Sequence, residues 1–374
     1  MRRVSVQAVK TTKDQDEFLD LPRTLYANDS LWVPPIGEDE RELAGFGSHP
    51  FFEQANSESF IATNGGKVCG RITAIIHHSE SAGQKSRHGY FGFFESIADA
   101  EVSSALFDAA RSWLSNQGCV SIRGPVSPSI TYQCGLLIDG YYESPTFLMP
   151  YNPSYYINLI EDYGFVKAQD LLSFQGSQEM LDEVNPKILS TSRSAIERLG
   201  INLRHFQMEK FPREIETFYE IYHQSLSSMW GFTPLNRSEI EHAGSVFAPI
   251  TIPEFTVVAE IEEVAIGTVF GLLDFNPLIK ETDGKLDWKQ LPDLLSGDLR
   301  PSRVRIPCTL VLPQYALWGV GLAMLQSLLA DGLKWGLKEV EFSWIAESNW
   351  LSKASLERGG ARRNKTYRVY ELQL

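Results

Sequence analysis

The stretch Leu310–Gly336, "LVLPQYALWGVGLAMLQSLLADGLKWG", is the one whose reading decides the fold. An apolar run meets Pro313, passes two glycines at Gly319 and Gly321, and continues with helical spacing of its apolar residues. Gln326 and Asp331 interrupt it well short of the about 20 apolar residues that a membrane span requires, so no span is expected. What remains is a strand, a turn of small residues, and a helix from Val320 to Trp335. Such a turn aims unpaired backbone N–H groups and the positive end of a helix dipole at one point, which makes an anion site. Glycine at 319 and 321 lets a pyrophosphate approach the backbone with no Cβ in the way. The plainer alternative is a glycine pair that lets the helix pack closely on its sheet.

Working outward, the segments that follow read as strand 338–345, a short helix 349–360 closed by glycines, and strand 365–372. Those that precede it read as strand 201–206, helices 214–226 and 237–247, a β-hairpin over 255–275, and strand 303–312. The first half has the same order. A short strand and a capped helix (Thr11–Tyr26) lead to a hairpin over 59–78, turning at Asn64-Gly65-Gly66. The aromatic strand 89–96, an amphipathic helix from Asp99 to Gln117, strand 119–126, a helix within 152–165 and strand 166–174 complete it. Trp32–Pro35 must be extended, because residues before proline avoid the helical region. The polar segment 176–194 lacks strand character and is taken as the boundary, giving domains 1–178 and 179–374. Strands alternating with helices imply an α/β fold with a mixed sheet, duplicated within the chain.

Bulk properties narrow the function. The chain has 374 residues, enough for two domains, and its 43% apolar and 22% charged content are those of a globular protein. A formal charge of −13 argues against a nucleic-acid partner, since phosphate backbones demand a basic surface. Cys69, Cys119, Cys134 and Cys308 are scattered without a CxxC pair, so reduced thiols, a cytoplasmic location and no zinc site are expected. "MRRVSVQAVKTTKDQDEF" has no apolar h-region and reads as no signal peptide, leaving the acceptor triplets at Asn28, Asn236 and Asn364 without meaning.

The order of these segments in the second half closely resembles the GNAT superfamily, the Gcn5-related N-acetyltransferases. The resemblance maps their phosphate loop, [RQ]-x-x-G-x-[GA], onto Ala316-Leu317-Trp318-Gly319-Val320-Gly321, and matches Asn349 to an asparagine that helps hold the coenzyme A arm. Further segments resemble a bacterial family with two GNAT-like domains in tandem. They are Trp32–Pro35, His49–Phe52, Gly70–Ala74, Gly89–Glu95, Ile122–Ser129, Gly135–Gly140 and Tyr151–Tyr156 in the first half. Asp274 with Asn276, Ser343–Asn349 and Lys365–Glu371 continue the match in the second. The resemblance implies two tandem GNAT-like acyl-CoA N-acyltransferase domains. Acetyl-CoA or a longer acyl-CoA is the co-substrate, a small amine or amino-acid-like molecule is the acceptor, and no metal is needed.

Two departures stand out: Ala316 holds the usual Arg/Gln position, and Leu356 falls near where many members carry a tyrosine that protonates the leaving thiolate. In the first half the equivalent turn has no glycine pair and places Asp99 and Glu101 where phosphates would sit, which repels a pyrophosphate. One acyl-CoA site is therefore expected, in the second half, with the first half a degenerate copy.

Acyl transfer from a thioester to an amine needs a carbonyl polariser, a base for the ammonium proton and a proton for the thiolate. The resemblance puts the polariser among the backbone amides of Leu310, Val311 and Leu312. Candidate bases are Glu347, just past a strand end, and Asp274, at the end of the hairpin; each is also readable as a structural carboxylate. Tyr367 and Tyr370 are candidate acids, though a terminal strand favours packing with satisfied hydroxyls. His77, His78 and His88 lack a third ligand at metal spacing and read as solvated loop residues. No G-x-S-x-G elbow supports hydrolase chemistry. Two rivals to the acyl-CoA reading are an N-acyl amino acid synthase-like enzyme using acyl-carrier protein and a catalytically inactive GNAT-fold binding protein. The acidic balance disfavours the first, because carrier proteins are acidic and dock on basic patches.

Overall fold

A computed structural model describes residues 4–36, 39–78, 87–182, 186–285, 287–291, 293 and 301–374. The chain forms two compact units, Met1–Leu171 with Thr282–Lys285 and Lys365–Leu374, and Leu172–Glu281 with Leu286–Asn364. Because Lys365–Leu374 belong with the first unit, the compact units and the sequence halves 1–178 and 179–374 are different divisions of the chain.

In the first unit, β1 (Ser5–Ala8) and α1 (Thr12–Leu25) are followed by α2 (Asp39–Leu43). Thr11 caps α1 in a capping box with Asp14, two orphan donors being satisfied reciprocally. The hairpin β2 (Ala55–Asn64) and β3 (Lys67–His77) turns through Gly65 and Gly66, both at positive φ, and β4 (His88–Ser96) pairs antiparallel with β3. Helix α3 (Ala100–Asn116) crosses to β5 (Ser121–Gly124), which runs parallel to β4. Short strands β6 (Val126–Ser127), β7 (Gln133–Cys134) and β8 (Leu136–Asp139), helix α4 (Tyr156–Glu161) and the start of β9 (Val166–Ser177) follow. The core is aromatic, with Phe94 stacked on Phe107 at 4.7 Å and Phe91, Tyr156 and Phe165 packed around them. The run Tyr90, Phe91, Phe93, Phe94 is buried throughout, as a buried strand requires.

The second unit takes the end of β9, α5 (Gln178–Asp182) and α6 (Pro186–Leu199), so 178–182 and 186–194 of the segment read as a boundary are helical. Then come β10 (Asn202–Arg204), α7 (Phe211–Leu226), α8 (Arg237–Phe247), the hairpin β11 (Thr256–Ile261) and β12 (Val264–Leu273), and α9 (Asn276–Glu281). The unit closes with β13 (Arg303–Val311), α10 (Val320–Trp335), β14 (Glu339–Ala346), α11 (Trp350–Arg358) and the start of β15 (Arg362–Gln373). Strand order is β10-β11-β12-β13-β14, antiparallel except for the parallel pair β13 and β14. Val257, Val269, Leu310, Met324 and Val340 are among its fully buried residues. The mixed α/β sheet and the repeated order of elements are as the sequence implies.

The histidines differ from expectation. His77 is buried within β3, and desolvation brings its pKa down to about 4. His88 bonds Ser121 Oγ at 2.7 Å, and of the three only His78 is exposed. No described helix is long and apolar enough to cross a membrane, and no described group of three or more His, Cys, Asp or Glu is placed to hold a metal ion.

Candidate functional site

The site begins with two strands that part. β13 and β14 pair from Arg303–Glu339 to Ile306–Phe342; beyond that the ladder stops, while β13 continues to Val311 and β14 to Ala346. On its other edge β13 loses register with β12 between the pairs Leu272–Arg305 and Phe270–Cys308, so the extra residue falls at Ile306–Pro307. A bulge bends its strand, and Pro307 has no N–H to give to a ladder. Bulge and fork therefore coincide.

Hydrogen-bond alternation decides which amides face the gap. Leu312 donates its N–H to the Ile266 carbonyl at 2.9 Å. Bonded and non-bonded pairs alternate along an antiparallel ladder, and Leu310 lies opposite Thr268 with Val311 opposite Gly267. Leu310 and Leu312 thus turn their N–H groups toward β12, whereas Thr309 and Val311 turn theirs into the fork. Of the three amides expected as polarisers, Val311 alone faces the gap. Thr309, which sequence reasoning missed, faces it too. Ser225 of α7 donates its hydroxyl to the Val311 carbonyl at 3.0 Å and fixes that edge.

The loop after β13 delivers a helix end to the same place. Gly319, the N-cap of α10, has φ +86°, a left-handed conformation that any side chain would strain, and no side chain caps the helix. Among the described residues the N–H groups of Val320, Gly321 and Leu322 have no acceptor; the first return bond is from Ala323 to the Gly319 carbonyl, at 3.0 Å. A Cβ at Gly321 would meet only Thr309 Cγ2 at 3.4 Å and Val311 Cγ2 at 3.6 Å. The first turn of α10 therefore overlies the two residues whose amides enter the fork. Close packing does not demand glycine at 321, because a methyl group fits there. Ala316, Leu317 and Trp318 are exposed on the loop itself.

Because β13 and β14 are parallel, the segment after β14 lies at the same end. Glu347 is half-buried there, and Asn349 caps α11, its Oδ1 accepting from the Ser352 N–H at 3.1 Å, which leaves the side-chain amide to donate. Asp274 is elsewhere. Its N–H donates to the Arg303 carbonyl at 2.9 Å and its carboxylate accepts from the Asn276 N–H at 3.2 Å, on the side of the fork where the strands are still joined. The structure does not bring it to the gap; it is a turn residue at the start of α9. Leu356 is half-buried in α11. Tyr367 and Tyr370 belong to the first unit, where Tyr370 donates to Glu161 at 2.9 Å and burial pushes its pKa well up.

A cleft of about 510 Å³ adjoins the loop, lined by Ser190, Thr191, Ser194 and Arg198 of α6 and by Leu317 and Trp318. The Arg198 guanidinium lies over the Trp318 ring at 5.2 Å. Sequence reasoning missed these four α6 residues. The signal was their spacing: 190, 191, 194 and 198 share one face of a helix.

The first unit repeats the geometry and fills it. β4 and β5 pair from His88–Ser121 to Tyr90–Arg123 and then part, and β4 carries a bulge at Phe93, at φ +51°. Here the gap holds the chain's own β6. A Cβ on Gly92 would fall 1.5 Å from the Val126 carbonyl oxygen, and the Phe93 N–H donates to Ser127 Oγ at 3.0 Å. The helix end is taken as well, since Asp99 caps α3 by accepting from the Glu101 N–H at 2.9 Å. Beside it lies a buried polar knot. Glu95 accepts from Tyr26 at 2.8 Å and Tyr156 at 2.6 Å, with Arg71 at 3.8 Å. Desolvation raises its pKa to about 7 against the pull of these partners.

Known proteins share this architecture. The chain is 30% identical to the bacterial ceramide synthase of Caulobacter vibrioides over 381 aligned positions, covering 99% of this chain and 98% of that protein. It is 29% identical to the protein YghO of Escherichia coli K12, covering 99% and 95%. Among solved structures, a tandem GNAT protein from the clavulanic acid biosynthesis pathway superposes with a TM-score of 0.59 at 11% identity, covering 99% of this chain and 98% of that one. No family model matches the chain.

Proposed function

The chain belongs to the same family as the bacterial ceramide synthase of Caulobacter vibrioides, one built from GNAT folds in tandem, and from that premise we propose that it is an acyl-CoA-dependent N-acyltransferase working at the fork of the second unit. The observation that carries the reading is the coincidence of the β13/β14 fork, two inward amides and an uncapped helix end within one stretch of chain. The pantetheine arm of the donor lies in the fork, adding the strand edge that β14 withholds from β13 beyond Ile306. Its diphosphate rests on the N–H groups of Val320, Gly321 and Leu322. The thioester oxygen accepts from the Val311 or Thr309 N–H, donors already aimed and paying no reorganisation as negative charge develops.

The acceptor amine attacks the thioester carbon, the C–N bond forms and the C–S bond breaks. Glu347 takes the ammonium proton, and the thiolate is protonated from solvent, since Leu356 falls near where many GNAT members carry a tyrosine. The relative's name supplies the acceptor class: ceramide is a long-chain amino alcohol acylated on nitrogen. Beside the fork, Phe218 lies 5.5 Å from Phe270 of β12, Tyr222 and His223 continue the aromatic cluster along α7, and Phe232 packs on both from the segment after that helix. That surface suits an alkyl chain better than a small amino acid. The glycine-rich turn and the plugged fork support a single donor site per chain, with the first unit serving structure.

The test is incubation of purified protein with a long-chain acyl-CoA and a long-chain 2-amino alcohol, reading thiol release against amide by mass spectrometry. Amide formed in step with thiol is expected. Thiol release without amide, or neither, rejects the reading.

A further inference from the structure

The cleft between α6 and the Gly319 loop has no part in the chemistry above, yet it is built of residues suited to one kind of ligand. Arg198 makes no ion pair among the described residues, although the chain carries a net charge of −13. Instead its guanidinium lies over the ring of Trp318, an indole that is 46% exposed beside Leu317 at 78%. An exposed tryptophan and leucine next to an unneutralised arginine leave both apolar area and charge unsatisfied. One turn before Arg198, Ser194 offers a hydroxyl with no partner among the described residues, while Ser190 and Thr191 donate theirs back to the Lys187 carbonyl at 3.0 and 2.8 Å. The cleft abuts the uncapped end of α10 through Trp318-Gly319, so a ligand that places a diphosphate on that helix end extends its next groups into it.

We infer that this cleft seats the nucleotide end of the thioester donor, with the adenine against Leu317 and Trp318 and the ribose 3′-phosphate on Arg198 and Ser194. The inference rests on the acyl-CoA reading of the site and deepens it. A carrier protein presents phosphopantetheine without a nucleotide, and the cleft has nothing to offer that donor. A planar base stacks on an indole face, and a guanidinium pairs with phosphate through a rigid fork of donors that an amine lacks. The role falls to α6, which leads into β10, rather than to the glycine loop alone.

The test compares CoA, 3′-dephospho-CoA and pantetheine by isothermal titration on the full chain. Wild-type protein binds CoA about tenfold more tightly than 3′-dephospho-CoA, the expected worth of one charged contact of this kind. Arg198→Gln abolishes that ratio and leaves 3′-dephospho-CoA affinity unchanged; Ser194→Ala reduces the ratio in the same direction. Trp318→Ala weakens both nucleotides and not pantetheine. Both α6 substitutions are on an exposed helix face, and circular dichroism confirms folding. Equal affinity of wild-type protein for CoA and 3′-dephospho-CoA, or an unchanged ratio in Arg198→Gln, overturns the assignment while sparing the acyl-CoA reading. Absence of binding by all three ligands at millimolar concentration overturns both.

Discussion

The Phe93 amide donates to Ser127 Oγ at 3.0 Å, and this bond closes in the first unit the gap that stays open beside Val311 in the second. The two units share a parallel pair, a bulge and a helix leaving the strand end. They differ in what occupies the gap, a piece of the same chain in one and free amides in the other. Occupancy follows at once: titration with acyl-CoA gives one site per chain. Two equivalent sites would sink the asymmetry argued from Gly92, Ser127 and Asp99.

The two glycines of the loop separate by experiment. Gly321→Ala folds with stability within about 0.5 kcal/mol of wild type, because nothing lies closer than 3.4 Å to the new methyl. Gly321→Glu abolishes acyl-CoA binding by placing a carboxylate at the diphosphate. Gly319→Ala loses about 1 kcal/mol or more from its φ of +86°. Thermal melts and ligand titration on the three variants check the set, and undiminished binding by Gly321→Glu removes the phosphate loop from the mechanism.

Val311→Pro tests the polariser directly. The Val311 N–H faces away from β12, so proline there breaks no ladder bond and leaves the strand intact. Turnover falls by about 10²–10³ with little change in donor affinity, the usual cost of one lost donor to a developing oxyanion. A variant with wild-type kcat transfers the role to Thr309.

Glu347→Gln removes the proposed base. Turnover drops by about 10²–10⁴, and the acid limb of the pH–rate profile disappears, when amide formation is followed across pH. Retention of that limb assigns the base elsewhere.

Glu95 makes the protein's stability depend on pH. Its carboxyl titrates at about 7 in the fold against 4.5 for a free side chain, chiefly because burial penalises its charge. Between those values the folded state binds more protons than the unfolded one, so this group's contribution falls as pH rises from 4.5 through 7 and then levels off. Tm plotted against pH for wild type minus Glu95→Gln slopes downward across that window; a flat difference rejects the assignment.

Much of this was legible in the residues. The α10 limits, Val320 to Trp335, follow from apolar spacing bounded by Gly319 and Gly336, and both hairpins follow from alternation around a turn. The α6 helix escaped because its Ser/Thr-rich composition reads as a linker: those residues compete for backbone bonds and favour turns in isolation. The inward face of β13 escaped for another reason. Which of Thr309, Leu310, Val311 and Leu312 points its amide into the fork depends on pairing with β12, and no local pattern encodes a partner strand's register. Asp274 shows the reverse case, a carboxylate at a strand end that reads as a candidate base and in the structure accepts from the Asn276 N–H in a turn away from the fork. Ser127 illustrates the limit most plainly, since nothing near "GPVSPS" announces that it will fill a gap beside Phe93.

Residues Lys365–Leu374 complete the first unit, with Tyr370–Gln373 pairing along β5 and Glu371 held to Arg123 at 2.6 Å. On the ribosome that strand emerges only after every residue of the second unit has been made. At about 5–20 residues per second, the sheet edge at β5 stands bare for roughly 10–40 s after Leu171 is polymerised. The unit that begins first finishes last. A nascent chain of this kind offers a holdase chaperone an apolar edge for the whole of that interval, and a premature stop that spares the fork of the second unit still leaves the earlier unit without its closing strand.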